Sequence, residues 1–197
     1  MSNKKEYKNS LRSKEKIQEA VFELIKEKKG LEKVTISDIV QRADVNRGTF
    51  YNHYRNINEV LEDIESKVVV SFEKMLEENK ESSIADQCLY FFDKLTAFLK
   101  ENEENLYYIV KYVPMSVFED LHSRILNSYR TYIIELSSKY IPAEKQHYAA
   151  LSTELLSQGV AATYLSYFKK ETTGSLDDIA HCAIELAKRI IFSNLEN

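Results

Sequence analysis

The sequence predicts an all-α protein, and three observations predict it. Glycine occurs 4 times and proline twice in 197 residues, too few turn residues for the short, regularly spaced strands of a sheet protein. Apolar residues recur at three- and four-residue intervals along most of the chain, the period of helices with one buried stripe. Start and stop signals cut that pattern into about nine helices. With 44% hydrophobic residues, a chain of this length buries roughly 70% of its unfolded surface and needs no covalent staples.

The elements follow in order. Residues 1–10 are polar and basic and read as a mobile arm. From Leu11 to Lys29, Ile17, Ala20, Val21, Leu24 and Ile25 form one stripe. Lys28, Lys29 and Gly30 then supply a helix stop with favourable charge. Thr35-Ile36-Ser37-Asp38 has the form of a capped helix start, and a short helix behind it buries Ile36, Ile39, Val40 and Ala43. Asp44 suits a left-handed turn. Asn46 caps a second short helix, Arg47 to about His53, which turns Phe50 and Tyr54 inward. Asn56 to Glu59 is another cap, opening a helix to about Lys80 with Ile57, Val60, Leu61, Ile64, Val68, Phe72 and Met75 on one face.

After the polar stretch EENKESS, residues 83–100 read as a helix burying Leu89, Phe92, Leu95 or Thr96, and Leu99. ENEEN is a loop or helix start. A short helix over residues 106–113 stops at Pro114. Residues 115–140 are periodic through Phe118, Leu121, Ile125, Leu126, Tyr129 and Ile133. Pro142 fits the first turn of a helix over residues 143–170. Thr172-Thr173-Gly174 breaks the chain, and Ser175 to Asp178 caps a last helix reaching about Asn194.

Charge and cysteine usage narrow the function. The net charge is −4, yet residues 1–55 carry 13 Lys and Arg against 8 Asp and Glu. A basic head on an acidic body suits a protein whose head alone meets a polyanion. Cys88 and Cys182 lack any metal spacing and read as two buried, reduced thiols in a cytoplasmic protein. No apolar run approaches the length of a membrane span, and the basic N-terminus has no secretory h-region. His181 has Asp177 and Glu185 one turn away on either side, a spacing that reads as a surface charge face because no second ligand cluster accompanies it. No nucleophile elbow or phosphate-cradling glycine loop occurs. An enzyme is therefore not expected, and no catalytic, metal or cofactor residues are assigned.

The two short helices carry the chemistry. A B-DNA major groove admits one helix, and bases are read by side chains near its N-terminus. Arg47 can pair with guanine O6 and N7, and Asn52 with adenine N6 and N7. Gly48 permits close backbone approach. Thr49 and Tyr51 offer hydroxyls to phosphates, and the capped starts at Thr35 and Asn56 offer backbone amides. Two helices at a tight turn with a third behind them form a helix-turn-helix unit.

The run VTISDIVQRADVNRGTFYNHYRNINEVL resembles the signature of the TetR family of transcriptional regulators, over about a quarter of the chain. The resemblance implies phosphate contacts at Thr35 and Thr49. It implies groove-facing places for Arg47, Gly48, Asn52 and His53, with Tyr51 bracing the reading helix while touching backbone; the cap residues Asn46 and Asn56 complete the DNA-binding set. It implies a DNA-binding domain over residues 1–55, a connecting helix over 56–80, and an effector-binding and dimerisation domain over 81–197. Two positions depart from the pattern: Asp44 stands where the family has glycine, and Ile57 where it has lysine. They imply a weaker grip on DNA, offset by Lys4, Lys5, Lys8 and Arg12, or a co-regulator that acts through a protein partner.

The resemblance also implies a homodimer built from the last two helices. Ser152, Leu155, Gly159, Ala162 and Ser166 fall on one stripe that permits close helix approach. The last helix is apolar on two sides, Ile179, Ala183, Leu186 and Ile190 on one, Ala180, Ile184, Ala187 and Ile191 on the other. One side can meet the core and the other a partner. Aromatic residues crowd between positions 88 and 132. The resemblance puts a pocket for a small hydrophobic or aromatic effector there, with Phe92, Tyr108, Tyr112, Met115, Phe118, His122 and Tyr129 as its candidate lining. The implied function is a ligand-released repressor on a near-palindromic operator.

Overall fold

A computed structural model describes the backbone of residues 2–195, with side chains throughout except those of residues 2–8, 133, 136–138, 140 and 191–195. The roles given above to the side chains of Lys4, Lys5, Lys8, Ile133 and Ile191 lie outside the described residues. Among the described residues there are nine α-helices, two 3-10 turns and no strand, as the scarcity of turn residues requires. The chain forms two compact units, one of Met1–Val68 with Tyr108–Val117, the other of Val69–Tyr107 with Phe118–Asn197.

The first unit is built on α1 (Ser2–Lys28). Residues 2–10 of the expected arm are instead the beginning of this helix. That stretch holds no glycine or proline, and propagating a packed helix outward is cheap once its core turns exist. Ile17, Val21 and Ile25 are fully buried, the stripe read from the sequence. The break after α1 comes from Lys29, which is left-handed at φ 53°, while Gly30 is extended. A 3-10 turn, Leu31–Lys33, leads to α2 (Ile36–Arg42), α3 (Arg47–His53) and α4 (Ile57–Glu77). Ile39, Phe50 and Val60 complete the core without exposed surface. Arg42 bridges from α2 to Glu23 at 3.0 Å and to Glu27, pinning α2 onto α1.

The second unit holds the remainder of α4, α5 (Ile84–Glu101), α7 (Glu119–Tyr140), α8 (Ala143–Phe168) and α9 (Leu176–Leu195), while α6 (Glu103–Tyr112) divides between the units. Within the ENEEN stretch, Glu101 ends α5, Asn102 caps it and Glu103 opens α6. Leu76, Phe91, Phe92 and Ala183 form a buried cluster. Of the two thiols expected to be buried, Cys88 is half-buried against this cluster and Cys182 is exposed. Two expected stripes are displaced. Leu89 is exposed while Phe91 is buried, and α4 buries Val69 and Leu76 in place of Val68, Phe72 and Met75. Runs such as Val68-Val69-Val70 and Tyr90-Phe91-Phe92 offer apolar groups to several faces, so their period cannot choose the buried one. Met115 does not open α7: Met115–Phe118 is a separate 3-10 turn closed by the Val117 amide on the Pro114 carbonyl at 3.0 Å. Ser83 caps α5, and Ser175 and Asp178 cap α9 reciprocally. The helix α9 packs on α5 and α8, and α7 packs on α8.

Candidate nucleic-acid interface

The interface begins with a capping box. The Thr35 hydroxyl accepts from the Asp38 amide at 3.2 Å, and the Asp38 carboxylate accepts from the Thr35 amide at 2.9 Å. The Lys28 ammonium lies 2.5 Å from the same carboxylate. Together Lys28 and Thr35 lower the Asp38 pKa to about 2. A folded-state pKa below the unfolded value means that the carboxylate stabilises the fold above the ordinary range and that this contribution is lost as pH falls through the folded value. The start of α2 is therefore expected to loosen between about pH 4 and pH 2. A thermal-unfolding series should show Asp38→Asn with a flatter acid limb than the unsubstituted chain. An unchanged limb would contradict the role.

The turn between α2 and α3 is closed by the Val45 amide on the Val40 carbonyl at 3.0 Å. Asp44 is left-handed at φ 52°, as its place in the turn predicts. The Asn46 side chain caps α3 by accepting from the Thr49 amide at 2.7 Å and the Thr49 hydroxyl at 3.1 Å. Both sequence-read caps thus hold, because their side-chain oxygens reach orphan amides that nothing else satisfies.

The helix α3 has an exposed side and a tied end. Arg47, Gly48 and Asn52 are exposed, and Tyr51 is exposed with its ring edge-on to Phe50. A side chain at Gly48 would bring a Cβ within 3.1 Å of the Asn46 cap oxygen. His53 is half-buried, and its Nε2 lies 2.8 Å from the Ser13 hydroxyl on α1. Burial, and then the nearby Lys14 charge, lower the His53 pKa below its ordinary value, so the ring carries little positive charge at neutral pH. Its geometry makes it a tie between α3 and α1. The helix α4 starts on Asn56, whose side chain accepts from the Glu59 amide at 3.0 Å. Ile57 is half-buried in the first turn of α4.

Two residues of this surface escaped the sequence reading. Ser37 accepts from the Arg47 guanidinium at 2.5 Å, so α2 parks the side chain that the groove would receive. Arg55 leaves 90% of its side chain exposed beside the α4 start, with Glu59 at 3.7 Å. A basic residue between two helix starts was the available signal for Arg55. Nothing in the sequence pairs Ser37 with Arg47.

This arrangement of helix, capped helix, left-handed turn and exposed reading helix coincides with a sequence match. Residues 13–64 match the model described as bacterial regulatory proteins, tetR family. The match covers about a quarter of the chain. The matched residues run from α1 through α2 and α3 into α4. A curated relative, the uncharacterized HTH-type transcriptional regulator YxbF of Bacillus subtilis (strain 168), is 38% identical over 52 residues, covering 26% of this chain and 14% of that protein. The chain thus matches well under two thirds of that relative's length. The fold also resembles a putative TetR-family regulator from Syntrophomonas wolfei str. Goettingen, at TM-score 0.64 and 16% identity, over 91% of this chain and 95% of that one. It resembles a TetR transcriptional regulator from Streptococcus agalactiae 2603V at TM-score 0.54 and 14% identity, over 92% and 97% of the two chains. These two likenesses carry the fold.

The seven effector-lining candidates fall in different surroundings. Tyr108 and Tyr112, in the first unit, stack with ring centroids 6.0 Å apart, and the Lys26 ammonium lies 4.9 Å over the Tyr108 ring. Met115 is exposed. In the second unit, Phe92 and Tyr129 both flank Phe91, at centroid distances of 5.3 and 6.1 Å. Phe118 is half-buried and His122 exposed. Of the seven, Phe92 alone lines the groove of about 540 Å³ between α5 and α9, with Leu89, Tyr90, Thr96 and His181.

The dimer candidates cluster better. Ser152, Leu155, Gly159, Ala183 and Ile190 line an apolar groove of about 710 Å³ between α8 and α9. Leu155 is 75% exposed and Leu186, in the same groove, 50% exposed. Ala162 is exposed, Ser166 half-buried, and Ala187 buried. Among the described residues no helix is long and apolar enough to cross a membrane.

Proposed function

We propose that the chain is a cytoplasmic homodimeric repressor that binds a near-palindromic operator through α3 and is released by a small hydrophobic or aromatic effector. The observation that carries the reading is the exposed side of α3. Arg47, Gly48 and Asn52 face outward from a helix whose other side is buried at Phe50. Thr35, Thr49, Tyr51 and Asn56 surround them with hydroxyls and capped amides for phosphates. The apolar α8–α9 groove supports a second copy as its occupant, and two-fold symmetry then presents two reading helices roughly 34–36 Å apart, one DNA turn. The division into residues 1–55, a connector over 56–80 and an effector and dimer domain over 81–197 belongs to the same reading. An effector that binds better to a dimer with mis-spaced reading helices lowers DNA affinity, and DNA lowers effector affinity by the same factor.

Selection from a random DNA pool, followed by mobility shift across a salt series, tests the reading. A near-palindromic sequence should emerge, with an affinity that falls steeply with salt. Arg47→Ala is expected to cost roughly 1–3 kcal/mol and to relax preference at one base pair per half-site. Failure to select any sequence, with no salt-sensitive shift, would favour a co-regulator acting through a protein partner, the reading that exposed Asp44 supports.

A further inference from the structure

A polar cluster behind the reading helix joins three helices through one carboxylate. Asp63 Oδ2, on α4, accepts from the Tyr54 hydroxyl at 2.8 Å, from Gln18 Nε2 at 2.7 Å and from Lys14 Nζ at 3.2 Å. Gln18 Nε2 also donates to the Tyr54 oxygen at 3.1 Å, and Gln18 Oε1 accepts from Lys67 Nζ at 2.6 Å. Gln18 and Tyr54 are buried, at 7% and 3% exposure. Lys14 and Gln18 belong to α1, Asp63 and Lys67 to α4, and Tyr54 is the residue that ends α3.

We propose that Asp63 is a positioning residue for the reading helix, fixing through Tyr54 and Gln18 the direction in which α3 presents Arg47. The inference rests on the proposal that α3 reads DNA. Phe50 anchors α3 by apolar packing, which is non-directional and tolerates a helix turning about its contact. Hydrogen bonds constrain angle as well as distance, and those of Asp63 are made at the C-terminal end of α3. Arg47 stands seven residues away, about 10 Å along the axis. A tilt of about 6° at Tyr54 therefore moves Arg47 by about 1 Å, enough to spoil a bidentate contact with a base. Burial pushes the Asp63 carboxyl up, but the Tyr54 hydroxyl and the Lys14 and Lys67 charges more than offset it and hold it below its ordinary value.

The experiment compares the full chain with Asp63→Asn and with Tyr54→Phe, which keeps the ring and removes one donor. In DNA-free protein, amide hydrogen exchange over residues 47–54 should rise about tenfold in both variants, while the buried turns of α1 around Ile17 to Ile25 stay within about twofold. With selected DNA, preference for the operator over variants at the base pair read by Arg47 should fall about tenfold. The salt slope should stay unchanged, because no phosphate-facing group is altered. Unchanged exchange over residues 47–54, or an equal rise throughout α1, overturns the proposal. Retained base preference together with loosened α3 also overturns it. If the unsubstituted chain selects no DNA, the DNA-binding reading fails, and the exchange measurement alone decides whether Asp63 positions α3.

Discussion

Phe50→Ala is expected to cost about 3–5 kcal/mol of stability, the range for emptying a fully buried aromatic site. Phe50 has no exposed surface, and its ring meets those of Tyr51 and Tyr54 at centroid distances of 5.6 and 6.0 Å. A helix of seven residues is too short to persist by its own hydrogen bonds, so its packing against α1 and α2 is what keeps it formed. Small domains have only about 5–15 kcal/mol to lose. Loss of Phe50 should therefore melt the DNA-reading surface before the rest. Urea unfolding followed by circular dichroism gives the number, and Phe50→Leu, which refills most of the volume, should recover much of it. A loss below about 1 kcal/mol would mean that α3 is held elsewhere.

Leu155→Glu, alone or with Leu186→Glu, is expected to convert the proposed dimer to monomer without loss of helix. Both leucines are half or more exposed in the single chain, so a carboxylate there meets water in the monomer and costs little. In a dimer the same groove is buried against its two-fold mate. Symmetry would place each new charge and its copy in one apolar interface, where unpaired charge is strongly unfavourable. Operator affinity should fall by about 10²–10⁴-fold, the advantage normally gained by joining two half-site readers. Sedimentation gives the mass and mobility shift the affinity. A dimer that survives both substitutions would move the interface away from the α8–α9 groove.

What could be read in advance was local. Thr35, Asn46, Asn56 and Ser175 announce helix starts because a side-chain oxygen three residues before an orphan amide is a short-range fact. The buried stripe of α1 was equally legible, since Ile17, Val21 and Ile25 lie on one face with polar residues elsewhere. Legibility failed where several faces were apolar at once, as at Val68-Val69-Val70 and Tyr90-Phe91-Phe92. It failed again at Met115, where periodicity ran across a 3-10 turn. The first turns of α1 were misread because polar composition alone does not separate an arm from an exposed helix with good formers.

The chain's own pattern therefore determined the helices, their capped starts and the outward set of Arg47, Gly48 and Asn52, all properties set within four or five residues. Tertiary structure decided which groups meet across distance. Ser37 receives Arg47, Ser13 meets His53, and Gln18, Tyr54 and Asp63 close one cluster from positions up to 45 residues apart. A polar residue in a helix looks alike in sequence whether it faces water or a buried carboxylate. The difference arises only when packing removes the water and leaves each donor to find its partner.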